Sequence, residues 1–179
     1  MDHPLPHSFS WSPVEEVWCH CARGSEAESL SLTIPPPYPG WPYIREGIRD
    51  MIAGAGEISR ITGCTLRYTD LIPVIEGTVL PGTEDIEQRL SGIFDGYSNE
   101  NQHELVLLNT KIPDTLGSVC SLYNRSGKPG WTLIFTVKTE GPVRFVSGDD
   151  VVNWFDDARA GIHRLFDLIV PAEIVQTLR

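Results

Sequence analysis

The stretch that decides the fold is TGCTLRYTDLIPVIEG, Thr62–Gly77, in which an arginine, a tyrosine and an aspartate interrupt an apolar pattern. Successive side chains of an extended strand point to opposite faces of a sheet. One face would carry Cys64, Leu66, Tyr68, Asp70 and Ile72. Arg67 falls on the other face, between Thr65 and Thr69. The pattern predicts a strand that carries polar residues on both of its faces.

Strand and helix patterns flank this stretch without regular alternation. Short runs rich in apolar and β-branched residues predict further strands at 12–22, 29–34, 103–112, 118–125 and 130–141. Apolar residues at three- and four-residue steps predict helices at 41–53, 83–94 and from 147 to Pro171, with a short turn of helix after it. We therefore expect an α+β fold: a single layered domain with a mostly antiparallel sheet and the helices packed on one face.

The helical patterns also predict which residues face the core. In the first long helix they are Trp41, Ile44, Ile48, Met51 and Ile52. In the last they are Val151, Phe155, Ala158, Ile162, Leu165, Phe166 and Ile169. In the strand at 130–141, Trp131, Leu133, Phe135 and Val137 share a face. Both helices should bury these stripes against the sheet.

Length and composition favour one globular domain. A chain of 179 residues that is 41% hydrophobic can bury a core without a metal or a disulfide. We assign residues 1–12, rich in Pro, His and Ser, to a flexible arm and residues 13–179 to a single domain.

The charge and the hydropathy pattern exclude several kinds of partner. A net charge of -10 opposes nucleic acid and anionic membrane surfaces. The N-terminus lacks the basic and apolar regions of a signal peptide, and no apolar run reaches the roughly 18 residues of a membrane span. We expect a cytoplasmic protein with no nucleic-acid or membrane partner. Whether it forms a homo-oligomer is left open.

The cysteines predict free thiols rather than a metal site. Cys19 and Cys21 in WCHCARG would share one face of a strand with His20 on the other, so the three cannot converge on one ion. Cys64 and Cys120 are scattered, and a cytoplasmic chain would keep them reduced. GAGE at 54–57 and PGTED at 81–85 lack the spacing of a phosphate loop. We predict no metal and no cofactor.

The order of four motifs resembles a known family. They are SPVEEVW at 12–18, PPYPGWPYIREGI at 36–48, LRYTDLI at 66–72 and VVNWFDDARAGIHRLFDLIV at 151–170. The chain is similar here to a sporadically distributed family of prokaryotic proteins of unknown function, which carries a Leu-Arg-Tyr strand and a C-terminal acidic-aromatic helix. Asp70 stands where that family commonly has asparagine. The resemblance supports a single domain and implies no catalytic residue.

Two classes of function follow from the sequence. Arg67, Tyr68 and Asp70 are the candidate ligand-binding residues, because a carboxylate among apolar neighbours needs a partner or a shifted pKa. A structural role is the alternative, with Arg67 in an ion pair and Asp70 bonded to backbone groups.

On the last helix, His163 shares a stripe with Arg159 and Asp156, which is typical of a solvated face.

No dense catalytic motif is present, since the chain lacks a Gly-x-Ser-x-Gly elbow. The sequence favours a module that binds a small molecule or a protein, for example in the groove between the sheet and the last helix. An enzyme whose site is assembled by the fold around Arg67, Tyr68 and Asp70 is the alternative.

Overall fold

The core of the fold is an antiparallel sheet. The computed structural model describes residues 14–23, 28–56, 58–73, 88–89, 106–111, 118–125, 130–139 and 142–177. Six strands form the sheet in the order β2-β1-β3-β6-β5-β4. Their bounds are Val14–Arg23 (β1), Glu28–Ile34 (β2), Ile61–Pro73 (β3), Val106–Lys111 (β4), Ser118–Arg125 (β5) and Gly130–Thr139 (β6).

β3 contains the opening stretch as far as Pro73 and lies at the centre of the sheet; the rest of that stretch, 74–77, falls outside the described residues. It pairs with β1 on one side and with β6 on the other. Cys64, Leu66, Tyr68 and Asp70 are buried on one face, whereas Arg67 on the second face is part-exposed. The predicted alternation is therefore confirmed, because a strand paired on both edges leaves its side chains only two directions.

Helix α1, Trp41–Ala53, is preceded by a glycine N-cap with an unusual backbone conformation. Gly40 has φ 92° and ψ 154°, and no side chain caps the first turn. Pro42 suits that turn because its fixed φ is already helical. The helix buries Trp41, Ile44, Ile48 and Ile52 as the spacing predicts, whereas Met51, also predicted to face the core, is only partly buried.

Helix α2, Gly148–Ile169, is the longest element and has a capping box. The Ser147 hydroxyl accepts a hydrogen bond from the Asp150 backbone N–H, and the Asp150 carboxylate accepts one from Ser147 N. Its predicted inward residues are buried, except that Phe166 is only partly so. Val152 and Trp154 are buried as well, so the apolar face is wider than the predicted stripe. A short helix α3, Ala172–Thr177, follows Pro171.

α1 and α2 pack on the same face of the sheet and are joined by a part-buried polar contact. The Trp41 indole Nε1 donates to Asp156 Oδ1 at 2.7 Å, and Arg45 Nε donates to Asp156 Oδ2 at 2.9 Å. α1 contacts β2, and α2 contacts β3 and β6. The buried apolar side chains of both helices and of β1, β3 and β6 form one cluster. The α+β architecture with helices on one face is confirmed.

Other predicted segments fall partly or wholly beyond the described residues. The arm at 1–12 lies outside them, as does the helix at 83–94 except for Gln88 and Arg89, which are helical. Arg89 Nη1 donates to the Leu168 carbonyl at 3.3 Å, near the C-terminus of α2, where a cation is favoured. Within the described ranges, no helix combines the length and the apolar character needed to cross a bilayer.

Candidate ligand-binding site

Arg67 lies on the second face of the sheet, away from Tyr68 and Asp70. Its Nη2 is 3.3 Å from Glu16 Oε1, and its guanidinium carbon is 5.2 Å from the centroid of the Trp18 ring. The Trp18 ring also stacks on His20, with centroids 5.0 Å apart. These side chains contact one another across β1 and β3, but Arg67 Nε is buried and has no hydrogen-bond partner among the described residues. The ion pair expected for a structural Arg67 is present.

Tyr68 is the most deeply buried member of a group of polar side chains between the sheet and α2. Its side chain is 3% exposed, and its hydroxyl is 3.4 Å from the hydroxyl of Tyr38 in the loop before α1. The rings of Tyr68 and His163 meet in a T-shaped arrangement, with centroids 6.4 Å apart and an interplanar angle of 74°. We call Tyr38, Tyr68, Arg159 and His163 the tyrosine cluster. Three elements that are far apart in sequence meet in it.

Arg159 lies beside this group, and no described residue gives it a carboxylate partner. Its guanidinium carbon is 5.3 Å from the centroid of the Trp41 ring, a cation–π contact. Its Nε is buried and finds no hydrogen-bond partner among the described residues. Asp156, one turn earlier on α2, is bound instead by Trp41 and Arg45. The acid and the base that share a stripe in the sequence are therefore not paired with each other.

Burial and Arg159 together set the protonation of the tyrosine cluster. Burial raises the pKa of Tyr68, the neighbouring Tyr38 adds to this, and the positive charge of Arg159 opposes it. Burial also lowers the pKa of His163, Arg159 lowers it further, and Asp167 acts in the opposite direction. Near neutral pH, Tyr68 is a protonated hydroxyl and His163 a neutral imidazole. Arg159 is then the only charged member of the cluster.

Asp70 is a buried carboxyl on the same face as Tyr68, two residues further along β3. It is 3% exposed, and burial raises its pKa to about 7. Within the described part of the chain it makes no hydrogen bond or ion pair, so the bonding to backbone groups expected for a structural Asp70 is not seen there. The pairing of β1 with β3 shifts register between Val14 and Glu16, opposite Asp70. Such irregularities are frequent next to functional sites.

Sequence reasoning missed two members of the tyrosine cluster. Tyr38 lies in a proline-rich loop, and its only signal is an aromatic residue placed just before a helix. Arg159 was assigned to a solvated face. The same prediction covers His163, which is exposed to solvent but also forms a T-shaped ring contact with Tyr68. Contacts between distant segments, rather than local patterns, create this site.

The described cysteines are buried thiols in the core. Cys19, Cys21 and Cys64 are unpaired and at most 2% exposed, and the sulfurs of Cys21 and Cys64 lie 3.7 Å apart. Burial raises the pKa of Cys19 to about 12, and the contact with Cys21 together with burial raises that of Cys64. Both thiols are therefore poor nucleophiles. Among the described residues no group of His, Cys, Asp and Glu side chains could hold a metal ion.

A pocket of about 330 Å³ lies at the other end of α2, between its first turn and the end of α1. The polar side chains that line it are those of Arg49, Ser147 and Asp149. Arg49 pairs with Glu46, and Ser147 and Asp150 cap each other. Asp149 adds a negative charge at the rim. The charged side chains of this lining are Asp149 and an Arg49 already paired with Glu46, whereas the tyrosine cluster combines two hydroxyl groups with an arginine that has no carboxylate partner among the described residues, so the tyrosine cluster is the better candidate.

Comparisons with known proteins add no constraint on the site. No protein family, curated protein or solved structure was found that matches this chain. The resemblance to the Leu-Arg-Tyr family stays a prediction. The function is therefore inferred from the geometry alone.

Proposed function

We propose that this protein is a binding module whose small-molecule ligand docks at the tyrosine cluster. One observation carries the proposal: the hydroxyls of Tyr38 and Tyr68, 3.4 Å apart, lie beside the charged Arg159, which has no carboxylate partner in the part of the chain that the structure describes. Buried polar groups in proteins are usually satisfied by neighbours. A charged group left without such a partner is available to a ligand.

The burial of the cluster suits a site that opens at one side. Tyr68 is buried, Tyr38 and Arg159 are half-buried, and His163 reaches solvent. A ligand could therefore contact the outer residues while its polar end approaches the Tyr68 hydroxyl. Tyr68 is fixed by strand pairing on both sides, at Val17 in β1 and Phe135 in β6. Rigid elements hold binding groups more closely than loops do.

An enzyme is the second candidate, and the protonation states favour it. Asp70, with a pKa of about 7, and the neutral His163 both lie on the Tyr68 side of the sheet. Groups that titrate near neutrality can exchange protons with a substrate. Turnover of a bound ligand that stops in both Asp70→Asn and His163→Gln, in variants that still bind it, would favour the enzyme.

We further propose that the protein acts in the cytoplasm of a prokaryotic cell, as the sequence suggests. The unpaired thiols of Cys19, Cys21 and Cys64 support this, because the cytoplasm keeps thiols reduced. A protein partner in place of the small molecule, and a homo-oligomer, are outcomes that the binding experiments would reveal.

The test is a thermal-shift screen of a metabolite library against the parent, Tyr38→Phe and, as the matched control, Tyr43→Phe. Tyr43 is 64% exposed on α1 and lies outside the cluster. A ligand at a hundred times its dissociation constant adds about 2.7 kcal/mol of stability. We expect at least one compound to stabilise the parent and Tyr43→Phe more than Tyr38→Phe. The proposal fails if no compound stabilises the parent, or if both variants respond alike to every compound that does.

A further inference from the structure

Among the described residues, the charges around the tyrosine cluster leave Arg159 without an ion pair. The acidic side chains on this part of α2 are Asp156, Asp157 and Asp167. Asp156 accepts hydrogen bonds from Trp41 and Arg45, and the charge of Asp167 raises the pKa of His163. Arg159 makes no ion pair with any of these three carboxylates. Its positive charge instead lowers the pKa values of Tyr68 and His163.

The contact with Trp41 keeps the Arg159 guanidinium ready for a ligand. An arginine that stacks on an aromatic ring has less rotational freedom to lose when it binds. The planar fork of a guanidinium matches the two oxygens of a carboxylate or a phosphate, and such charge-assisted bonds are about twice as strong as neutral ones. The site therefore presents a pre-positioned anion receptor next to two hydroxyl groups.

We propose that the ligand of the tyrosine cluster is a small molecule with a carboxylate or phosphate group, bound by Arg159 and by the hydroxyls of Tyr38 and Tyr68. The inference rests on the proposed function and specifies the charge of its ligand. Because Tyr68 stays protonated, the hydroxyl that accepts the hydrogen bond between the two tyrosines keeps its own proton and can donate it to an anionic oxygen. A neutral His163 adds no second charge, so Arg159 is the anchor.

The experiment is isothermal titration of the parent with sodium phosphate and with sodium benzoate, at constant ionic strength set by sodium chloride. The same titrations are made on Arg159→Gln, Arg159→Lys and Arg144→Gln. Arg144 is exposed in the segment before α2, so its variant matches the charge change away from the cluster. We expect saturable binding of at least one probe to the parent and to Arg144→Gln. Arg159→Gln should bind roughly 10- to 100-fold more weakly, as loss of a hydrogen bond to a charged group implies.

Arg159→Lys separates charge from geometry, because lysine keeps the charge without the planar fork. Its affinity should fall between those of the parent and Arg159→Gln, and circular dichroism shows whether each variant is folded. Failure of both probes to bind the parent, or undiminished binding to a folded Arg159→Gln, would overturn the inference. A neutral library compound that needs Tyr38 but not Arg159 would also overturn it and leave the proposed function standing. If no ligand of any kind binds the parent, both the inference and the proposed function are wrong.

Discussion

The hydroxyl oxygens of Tyr38 and Tyr68 lie 3.4 Å apart. Tyr38 belongs to the loop between β2 and α1, and Tyr68 is buried at the centre of β3. Their rings also meet, with centroids 6.2 Å apart. The pair therefore links the loop before α1 to the middle of the sheet through a part-buried polar contact.

Removal of the Tyr38 hydroxyl should weaken this tie. In Tyr38→Phe, the buried Tyr68 hydroxyl loses its partner, and a net hydrogen bond contributes about 0.5–1.5 kcal/mol. We expect the free energy of unfolding in urea to fall by that amount. Tyr43→Phe, on an exposed ring, should change it by less than about 0.5 kcal/mol. Equal stabilities of the two variants would show that the hydroxyl contact contributes nothing.

Asp70 should make stability depend on pH. Its pKa is raised from 3.8 to about 7 in the folded protein, so the folded state binds a proton that the unfolded state has released. The contribution of Asp70 to stability is thus most favourable below about pH 4, falls as the pH rises to about 7, and is level above. The full loss is roughly 4 kcal/mol, since one pKa unit corresponds to about 1.4 kcal/mol.

The variant Asp70→Asn tests this directly, because asparagine has nearly the same shape and no charge. Its unfolding free energy should equal that of the parent near pH 4 and exceed it increasingly up to about pH 7. Asp157→Asn, at an exposed position on α2, is the control and should show no such trend. An Asp70→Asn variant less stable than the parent at pH 8 would mean that the ionised carboxylate is stabilised by a partner.

Replacement of Arg67 should have a small structural effect. Its ion pair with Glu16 joins two side chains that are 41% and 40% exposed, and such pairs contribute about 0.2–1 kcal/mol. The stacking on Trp18 adds about 0.5–1 kcal/mol. We expect Arg67→Ala to lower the free energy of unfolding by about 1 kcal/mol. In a double-mutant cycle with Glu16→Ala, a coupling of several kcal/mol would contradict this.

Gly40 should resist substitution because of its backbone. Its φ of 92° and ψ of 154° belong to a region that is essentially restricted to glycine. Gly40→Ala should destabilise the protein by about 1–3 kcal/mol in urea unfolding. Gly54, which ends α1 with helical φ and ψ, is the matched control. A Cβ there meets its nearest atoms at 3.6 Å, so Gly54→Ala should be neutral or slightly stabilising. Equal losses in both variants would argue against backbone strain at Gly40.

The sequence predicts the layers of this fold well because they follow from local periodicity. Alternation in β3 separates Arg67 from Tyr68 and Asp70, and the structure confirms that separation. The helical stripes of α1 and α2 are confirmed for the same reason. Val152 and Trp154 lie outside the predicted stripe and are nevertheless buried, so α2 buries more than one stripe. Only the arrangement of neighbouring helices determines how wide an apolar face must be.

The site itself was only partly predictable. Tyr68 and Asp70 stand out as polar residues in an apolar strand, which a pattern can reveal. Tyr38 joins Tyr68 across 30 residues, and Asp156 reaches Trp41 across 115. No local pattern encodes such contacts. Asp156 binds Trp41 and Arg45, so it does not neutralise Arg159, although the spacing on α2 places the two residues close together.

The most direct test compares two neighbouring residues on opposite faces of β3. The dissociation constant of a ligand found for the parent is measured by isothermal titration on Tyr68→Phe and on Arg67→Ala, with circular dichroism to show that both are folded. Binding at the tyrosine cluster predicts about tenfold weaker affinity in Tyr68→Phe, since about 1.4 kcal/mol corresponds to a factor of ten, and unchanged affinity in Arg67→Ala. The opposite result, with binding lost in Arg67→Ala and kept in Tyr68→Phe, would place the ligand on the second face of the sheet and contradict the proposal.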